Sequence, residues 1–295
     1  MTLFIDLIVG ILEIYKWLVL IRVLISWLPM LGFHIDPYHP TYGQIILFIH
    51  KITEPVLAPF RSFIRVGTMD FSPIIVFILI TFVQNVIQGN DISETIAFAI
   101  SLVIAFTVHE FAHAWTAYKL GDSTAKDLGR LTLDPRKHLD VIGSLMVLVF
   151  HFGWAKPVPV NPHYLRGDTR VSMAIVAAAG PLSNFVLACI AAIPLRLGVV
   201  EVFYTTPFFP NPVQLLYVFV FLNVILLFFN LIPIAPLDGF KVVQGLLPYP
   251  AVEKFSRLES AGPIILLLLV FVGGSVFTAL IMTPTEWLVG LLIGI

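Results

Sequence analysis

The chain has 295 residues, of which 58% are hydrophobic and only 12% are charged. Soluble domains carry about 25% charged residues, so this composition excludes an ordinary soluble protein and predicts an integral membrane protein. The net charge of −1 gives no indication of a nucleic-acid partner, and the single cysteine excludes an internal disulfide.

Six apolar segments separated by polar loops predict membrane-spanning helices, because each approaches or exceeds the roughly 20 residues needed to cross the hydrocarbon layer. They lie at residues 3–31, 72–88, 93–119, 172–197, 214–234 and 263–282. Residues 141–152 are too short to cross as a helix, so we expect a re-entrant or interfacial element there, and residues 287–295 should lie at the membrane surface. The predicted fold class is an all-α polytopic membrane protein with about six transmembrane helices.

The sequence Gly89-Asn90-Asp91 marks the clearest boundary, because Asp91 and Glu94 form a capping box that opens the next helix. We therefore expect two domains, residues 1–90 and residues 93–295. Lysine and arginine are concentrated in three loops. Even numbers of predicted spans separate these loops, so all three lie on the same side of the membrane. The positive-inside rule places these loops in the cytoplasm. We expect a multi-pass plasma-membrane protein in contact with membrane lipid, with its active site toward the cytoplasmic side.

The apolar run from Phe98 to Leu120 contains the sequence His109-Glu110-Phe-Ala-His113. Ionisable groups inside a spanning helix indicate a functional site, because burying them costs free energy. The two histidines are four residues apart and share one helix face, so both imidazoles can reach one metal ion, and Glu110 can act on a water beside it. This pattern is the signature of zinc metallopeptidases.

A catalytic zinc site needs a third protein ligand, and Asp238 is the best candidate. It follows the fifth predicted span on the same side of the membrane as the histidine pair, in a segment that prolines and Gly239 turn sharply. Asn230, about two turns earlier, is placed to stabilise an oxyanion, and Asn184 is a weaker choice. The rival ligands are His138, His151 and His163.

Residues 153–162 read Gly-Trp-Ala-Lys-Pro-Val-Pro-Val-Asn-Pro. These prolines exclude a helix and favour extended backbone, so we predict a short β-hairpin. A peptide bond inside a helix is shielded by its own hydrogen bonds, so a substrate must unwind before it is cut. The hairpin either offers a strand edge that holds the unwound substrate or is inert.

Four motifs together resemble the site-2 protease family of intramembrane zinc metalloproteases. They are the His-Glu-x-x-His motif, residues 153–162, Gly180-Pro-Leu-Ser-Asn184, and Phe229-Asn-Leu-Ile-Pro233 followed by Pro236-Leu-Asp238-Gly. The resemblance implies Zn²⁺ on His109, His113 and Asp238, with Glu110 as the base. It also implies that Asn230 holds or polarises the substrate, which would be a single-span membrane protein.

The first 90 residues resemble a different family, the two-span YggT membrane proteins. The similar stretches are Ile21-Arg-Val-Leu-Ile-Ser-Trp-Leu-Pro29, Ile52-Thr-Glu-Pro-Val-Leu-Ala-Pro-Phe-Arg61 and Asp70-Phe-Ser-Pro73. This resemblance implies a membrane location and a fusion of two domains, without a chemistry. We expect this domain to recruit a partner or a substrate.

Two other classes of function compete with proteolysis. One is a non-catalytic membrane scaffold with a structural zinc site, and the other is a metal-ion transporter. Glu110 argues against the scaffold, because a structural zinc site needs no base. The spacing of two histidines and a glutamate favours hydrolysis over transport.

Overall fold

The computed structural model describes residues 2–27, 39–61, 65–66, 69–70, 72–89, 92–140, 155–202, 206 and 209–295. These residues form two compact units. The first lies within residues 2–92, and the second comprises residues 93–140 and 155–295. The expected re-entrant element at 141–152 lies outside the described residues, as does His151.

The first unit consists of α1 (Thr2–Trp27), α2 (Gly43–Arg61) and α3 (Ser72–Gln88). Two antiparallel two-residue strands, β1 (Arg65–Val66) and β2 (Met69–Asp70), lie between α2 and α3 in the chain. Apolar side chains of all three helices share one core. Its buried members are Val19, Leu57, Val76 and Ile80.

Three of the four charged side chains on α1 are paired within this first unit. Lys16 lies 2.7 Å from the Glu13 carboxylate, and Gln84 of α3 donates to Glu13 over 3.1 Å. Arg22 contacts both His50 and Glu54 of α2. The unit therefore satisfies much of its polar surface internally, as a membrane environment requires.

The second unit is built on three long helices, α4 (Ser93–Lys119), α7 (Thr169–Arg196) and α8 (Pro212–Asn230). Asp168 caps α7 by accepting from two backbone N–H groups, and Asn211 caps α8 by accepting from Gln214 N. The three helices pack on one another. The buried faces of α4 and α7 are rich in small residues, which let helices in a membrane approach closely. Buried alanines on these faces include Ala97, Ala105, Ala114, Ala177, Ala188 and Ala192.

Short elements connect these helices and complete the chain. Between α4 and α7 lie α5 (Thr124–Asp127), α6 (Pro135–His138) and a 3₁₀ turn (Pro162–Tyr164). After α8 come α9 (Asp238–Leu246), α10 (Tyr249–Ser256), a second 3₁₀ turn (Glu259–Ala261) and α11 (Gly262–Phe271). Helix α9 packs on α7, which brings residue 238 to the middle of the unit. The last helical stretch is α12 (Gly274–Phe277), a π-helical turn (Thr278–Met282) and α13 (Thr283–Ile293).

Four described helices are long and apolar enough to cross a membrane. They are Ser93–Lys119, Thr169–Arg196, Pro212–Asn230 and Gly274–Ile293. The first three correspond to predicted spans. The predicted span at 263–282 differs, because α11 ends after 10 residues and the long helix starts at Gly274. The predicted count of six is therefore not established, since α1 carries four charged residues and α3 has 17 residues.

Gly273 explains the displaced span. The backbone turns there so tightly that a Cβ on Gly273 would lie 2.6 Å from the Leu269 carbonyl oxygen. The sequence pattern predicts one continuous span from 263 to 282 through this position. Residues 287–295, which the pattern assigned to the membrane surface, mostly belong to the spanning stretch instead.

The predicted hairpin at 153–162 is not formed by the part of this segment that the structure describes, residues 155–162. An isolated bridge joins Ala155 to Leu139, and residues 156–161 belong to no strand. The backbone is extended at Asn161, and Pro157 and Pro159 lack the N–H groups that a ladder of strand hydrogen bonds requires at their positions.

Candidate metal centre

Helix α4 places the two histidines of the His-Glu-x-x-His motif on its buried face. His109 is 7% exposed and His113 is 8% exposed, and their Nε2 atoms lie 3.0 Å apart. This proximity follows from the helical repeat, which stacks residues i and i+4 on one face. Glu110 is buried beside them.

Asp238 comes to the histidines from a distant part of the chain. It is the first residue of α9, and its Oδ2 atom lies 3.1 Å from His109 Nε2 and 3.3 Å from His113 Nε2. Gly239 allows this approach, because a Cβ there would collide with the Leu231 and Ile232 carbonyls. The tight turn after α8 therefore depends on a residue without a side chain.

These three donor atoms fit a single zinc ion. Their mutual separations of 3.0, 3.1 and 3.3 Å form a nearly equilateral triangle. Ligand atoms about 2.0–2.1 Å from a tetrahedral zinc are roughly 3.3 Å apart, so the triangle has the right size. Two imidazoles and one carboxylate also match the donor set of catalytic zinc sites, which keep a fourth position open. They are the only such cluster within the described residues.

The Nδ1 atom of each imidazole bonds to an oxygen of the protein, and this contact orients the Nε2 atom toward the metal centre. His109 Nδ1 lies 2.6 Å from Asn184 Oδ1, and His113 Nδ1 lies 2.7 Å from the Val176 carbonyl oxygen. Both acceptors require the ring proton on Nδ1, which leaves the Nε2 lone pairs available for a metal. Asn184 is itself held by Asn223, whose Oδ1 accepts from Asn184 Nδ2 over 2.8 Å.

Gly180 lets α7 pass directly against the two imidazoles. A Cβ at this position would lie 2.6 Å from His109 Nε2 and closer still to His113 Nε2. Real Cβ atoms do not approach other atoms so closely, so any side chain here would displace the ligands.

The Glu110 carboxylate is held by the extended segment that follows Ala155. Its Oε2 atom accepts the backbone N–H of Val158 over 2.9 Å. The segment is itself fixed by buried Arg130, whose Nη2 donates to the Lys156 carbonyl over 2.7 Å. Burial lowers the pKa of the Arg130 guanidinium, and the negative charge of Glu110 opposes that lowering.

The two imidazoles favour the ionised form of the Asp238 carboxyl group. Burial by itself raises the pKa of this group, but the neighbouring His113 and His109 imidazoles outweigh burial and hold the pKa well below its ordinary range. A carboxylate must be deprotonated to bind a metal, so the direction of this shift favours ligation by Asp238.

The remaining predicted residues lie outside the cluster. Asn230 is the last residue of α8 and donates to the Leu226 carbonyl of its own helix over 3.0 Å. His138 is fully buried, and its Nε2 bonds to the Thr132 carbonyl over 2.7 Å. His163 is exposed in the 3₁₀ turn. Neither described rival histidine joins the candidate metal ligands.

Comparison with known families assigns both parts of the chain. The family model described as peptidase family M50 matches residues 97–204 and 195–273, and the CCB3/YggT model matches residues 1–90. No solved structure matches the chain significantly.

Three curated relatives agree with these matches. The Bacillus subtilis protein provisionally named zinc metalloprotease YwhC is 42% identical over 171 residues, 58% of this chain and 78% of YwhC. Rip2 of Mycolicibacterium smegmatis, also provisionally named a zinc metalloprotease, is 34% identical over 148 residues, 48% of this chain and 54% of Rip2. The uncharacterised protein ycf19 of Guillardia theta is 33% identical over 95 residues, 32% of this chain and 94% of ycf19.

The match to the M50 model covers more than half of the chain and contains every member of the triangle of donor atoms. The protein therefore belongs to peptidase family M50, the site-2 protease family, and carries a CCB3/YggT domain over residues 1–90.

Proposed function

We propose that this protein is an intramembrane zinc metalloprotease that hydrolyses peptide bonds in the transmembrane segments of single-span membrane proteins. The observation that carries the proposal is the triangle of His109, His113 and Asp238 donors with the Glu110 carboxylate beside it. The names of YwhC and Rip2 support the same chemistry. A structural zinc site would have no use for the adjacent acid.

Zinc held by the three ligands would lower the pKa of a water toward about 7 and polarise the scissile carbonyl. The protein supplies the proton transfers. Glu110 accepts the proton of the attacking water and later delivers it to the departing amine, so the peptide C–N bond breaks with no net change in protons. The Val158 N–H keeps the carboxylate in one orientation for both transfers.

We assign Asn230 to the substrate carbonyl. It ends α8, and the chain returns to the cluster eight residues later at Asp238. Its amide nitrogen bonds to the Leu226 carbonyl, so it must exchange this partner to donate to a developing oxyanion.

The extended segment 156–161 is suited to hold an unwound substrate on one side. In an extended strand the N–H groups of residues i and i+2 face the same way. Such a backbone would turn the Val160 N–H toward the side on which the Val158 N–H meets Glu110. No described residue accepts a hydrogen bond from the Val160 N–H. Pro157 and Pro159 lack an N–H on the opposite side, which discourages pairing there.

Replacing Val160 with proline should weaken substrate binding, because it removes the N–H that we assign to the substrate backbone. One lost hydrogen bond corresponds to about a 2–10-fold increase in KM. The control is Val160→Ala, which keeps the N–H. KM values and bound zinc are measured for both variants, and an unchanged KM in Val160→Pro would remove the strand-edge role.

The test of the proposed function is a Glu110→Gln variant of the full chain, assayed on a labelled synthetic peptide that contains one transmembrane helix. Losing a general base costs about 10²–10⁴-fold in rate, so cleavage should fall by at least about 100-fold. Zinc should remain bound at one ion per chain, because Glu110 is not one of the three donors.

Glu94→Gln is the matched control, since Glu94 is exposed at the other end of α4. It should cleave at the wild-type rate. Equal cleavage by Glu110→Gln and wild type would contradict the proposal, and loss of zinc flux across vesicles without any proteolysis would instead support a transporter.

We further propose that the protein resides in the plasma membrane with the metal centre toward the cytoplasm. Basic residues are concentrated in the loops that flank the centre, which supports this orientation. We propose that the CCB3/YggT domain recruits a partner or substrate. Unchanged cleavage of the native substrate after removal of residues 1–88 would contradict that role.

A further inference from the structure

Arg130 is buried next to the extended segment and binds its backbone at two consecutive carbonyls. The side chain is 7% exposed, and Nη2 donates to the Lys156 oxygen over 2.7 Å and to the Pro157 oxygen over 3.4 Å. The next residue, Val158, is the one whose N–H reaches Glu110. Arg130 therefore fixes the backbone immediately before the contact with the proposed base.

Asp122 fixes the other end of the same segment. It is fully buried, and its Oδ2 atom accepts the Asn161 N–H over 2.7 Å. Its Oδ1 atom accepts the N–H of Thr124 over 3.0 Å and the hydroxyl of the same residue over 2.5 Å. Asp122 thus joins the segment to the start of α5, directly after the metal-binding helix.

The segment needs such anchors because it lacks a strand partner. Residues 156–161 belong to no strand among the described residues, and Pro157 and Pro159 carry no N–H. In place of a ladder, the segment has side-chain bonds at its two ends, one backbone bond from Lys156 N to the His138 carbonyl, and the contact with Glu110.

Burying two charged side chains for this purpose is expensive. A guanidinium or carboxylate removed from water costs several kcal/mol unless it is well bonded, and apolar residues of similar volume would often hold a loop as well. The charged residues have one feature that apolar residues lack, since they bind specific backbone atoms and so define the register of the segment.

We propose that Arg130 and Asp122 are positioning residues that hold residues 156–161 in the register at which the Val158 N–H orients the Glu110 carboxylate. The role rests on the proposed hydrolysis, in which Glu110 transfers protons. Neither residue touches the three metal donors, so both act through the segment.

Hydrogen–deuterium exchange tests the anchoring without relying on activity. In the wild-type protein the amides of Lys156, Val158 and Asn161 should be protected, because each donates a hydrogen bond. In Arg130→Gln, exchange in a peptide covering residues 155–165 should quicken by about tenfold or more. Exchange in α7 and α8 should not change. The matched control is Arg136→Gln, whose side chain is 87% exposed.

Kinetic measurements then test whether Arg130 positions the segment or only supports the general fold. Arg130→Gln should keep one zinc per chain and lower kcat on the labelled transmembrane peptide by about tenfold or more, and Arg130→Lys should recover part of the loss. Because Arg130 acts through the Val158 N–H, adding Arg130→Gln to Val158→Pro should cause little further loss. Asp122→Asn should behave like Arg130→Gln.

Three results would overturn the role. The first is unchanged hydrogen–deuterium exchange at residues 155–165 in Arg130→Gln. The second is a double variant whose loss of kcat equals the product of the two single losses. The third is loss of zinc from both Arg130 variants, which would show that the residue supports the general fold. Failure of the proposed function would give a different result. The wild-type protein would then show no Glu110-dependent cleavage, but the difference in exchange between wild type and Arg130→Gln would persist.

Discussion

Asp238→Ala should lose stoichiometric zinc and all cleavage. Asp238 Oδ2 is the third corner of the donor triangle, and two imidazoles alone do not form the three-ligand set of a catalytic zinc site. Removing a residue that only supports a ligand already costs about 10–100-fold in affinity, so removing the ligand itself should cost more. The measurement is zinc per chain by atomic emission after dialysis against a weak chelator.

Asp127→Ala is the control for this variant, because Asp127 is exposed in α5 and lies outside the triangle. It should retain one zinc per chain and wild-type cleavage. Full zinc occupancy in Asp238→Ala would show that the carboxylate is not a ligand.

Gly180→Ala should damage the metal centre although it adds only one methyl group. The new Cβ would lie 2.6 Å or less from both histidine Nε2 atoms, so the imidazoles or α7 must move. We expect zinc affinity to fall by about tenfold or more, comparable with the loss of an outer partner of a ligand. Alanine is a better helix former than glycine, so α7 itself should be no less stable.

Competition with a fluorescent chelator gives the zinc affinity, and circular dichroism gives the helix content. Gly274→Ala is the matched control, since a Cβ at Gly274 meets no atom within 4 Å. Wild-type affinity in Gly180→Ala would mean that the close approach of α7 to the imidazoles does not govern the centre.

The ligand triangle followed from local patterns in the sequence. The spacing of His109 and His113 determines their shared face, and the prolines and glycine around Asp238 indicate a turn that returns the chain toward the same membrane side. The structure places the three side chains within coordinating distance of one ion. The four motif regions also pointed to the family that the comparisons show.

The surroundings of the ligands were harder to predict. Asn184 was considered for the oxyanion, yet it bonds to His109 Nδ1, a role that depends on how α7 and α4 pack. The partner of His113 is the Val176 backbone oxygen, which no sequence motif can mark. Arg130 and Asp122 stood in a charged loop, where most such residues are exposed, and only the fold shows that they are buried.

The displaced last span has a similar cause. Residues 263–282 are continuously apolar, and hydropathy does not distinguish a helix that continues from one that breaks. The break depends on the approach of the Gly273 backbone to the Leu269 carbonyl, a tertiary detail. The hairpin prediction is not confirmed, because Pro157 and Pro159 lack the N–H groups that a strand ladder would need at their positions.

X-ray absorption at the zinc edge of the purified full chain measures the ligand shell most directly. We predict one zinc with two imidazoles and one carboxylate oxygen at about 2.0–2.2 Å, and the same spectrum from Glu110→Gln. Asp238→Ala should lack this shell. A zinc shell with fewer than two imidazoles, or an altered shell in Glu110→Gln, would contradict a metal held by the two histidines and Asp238 with Glu110 free to act as a base.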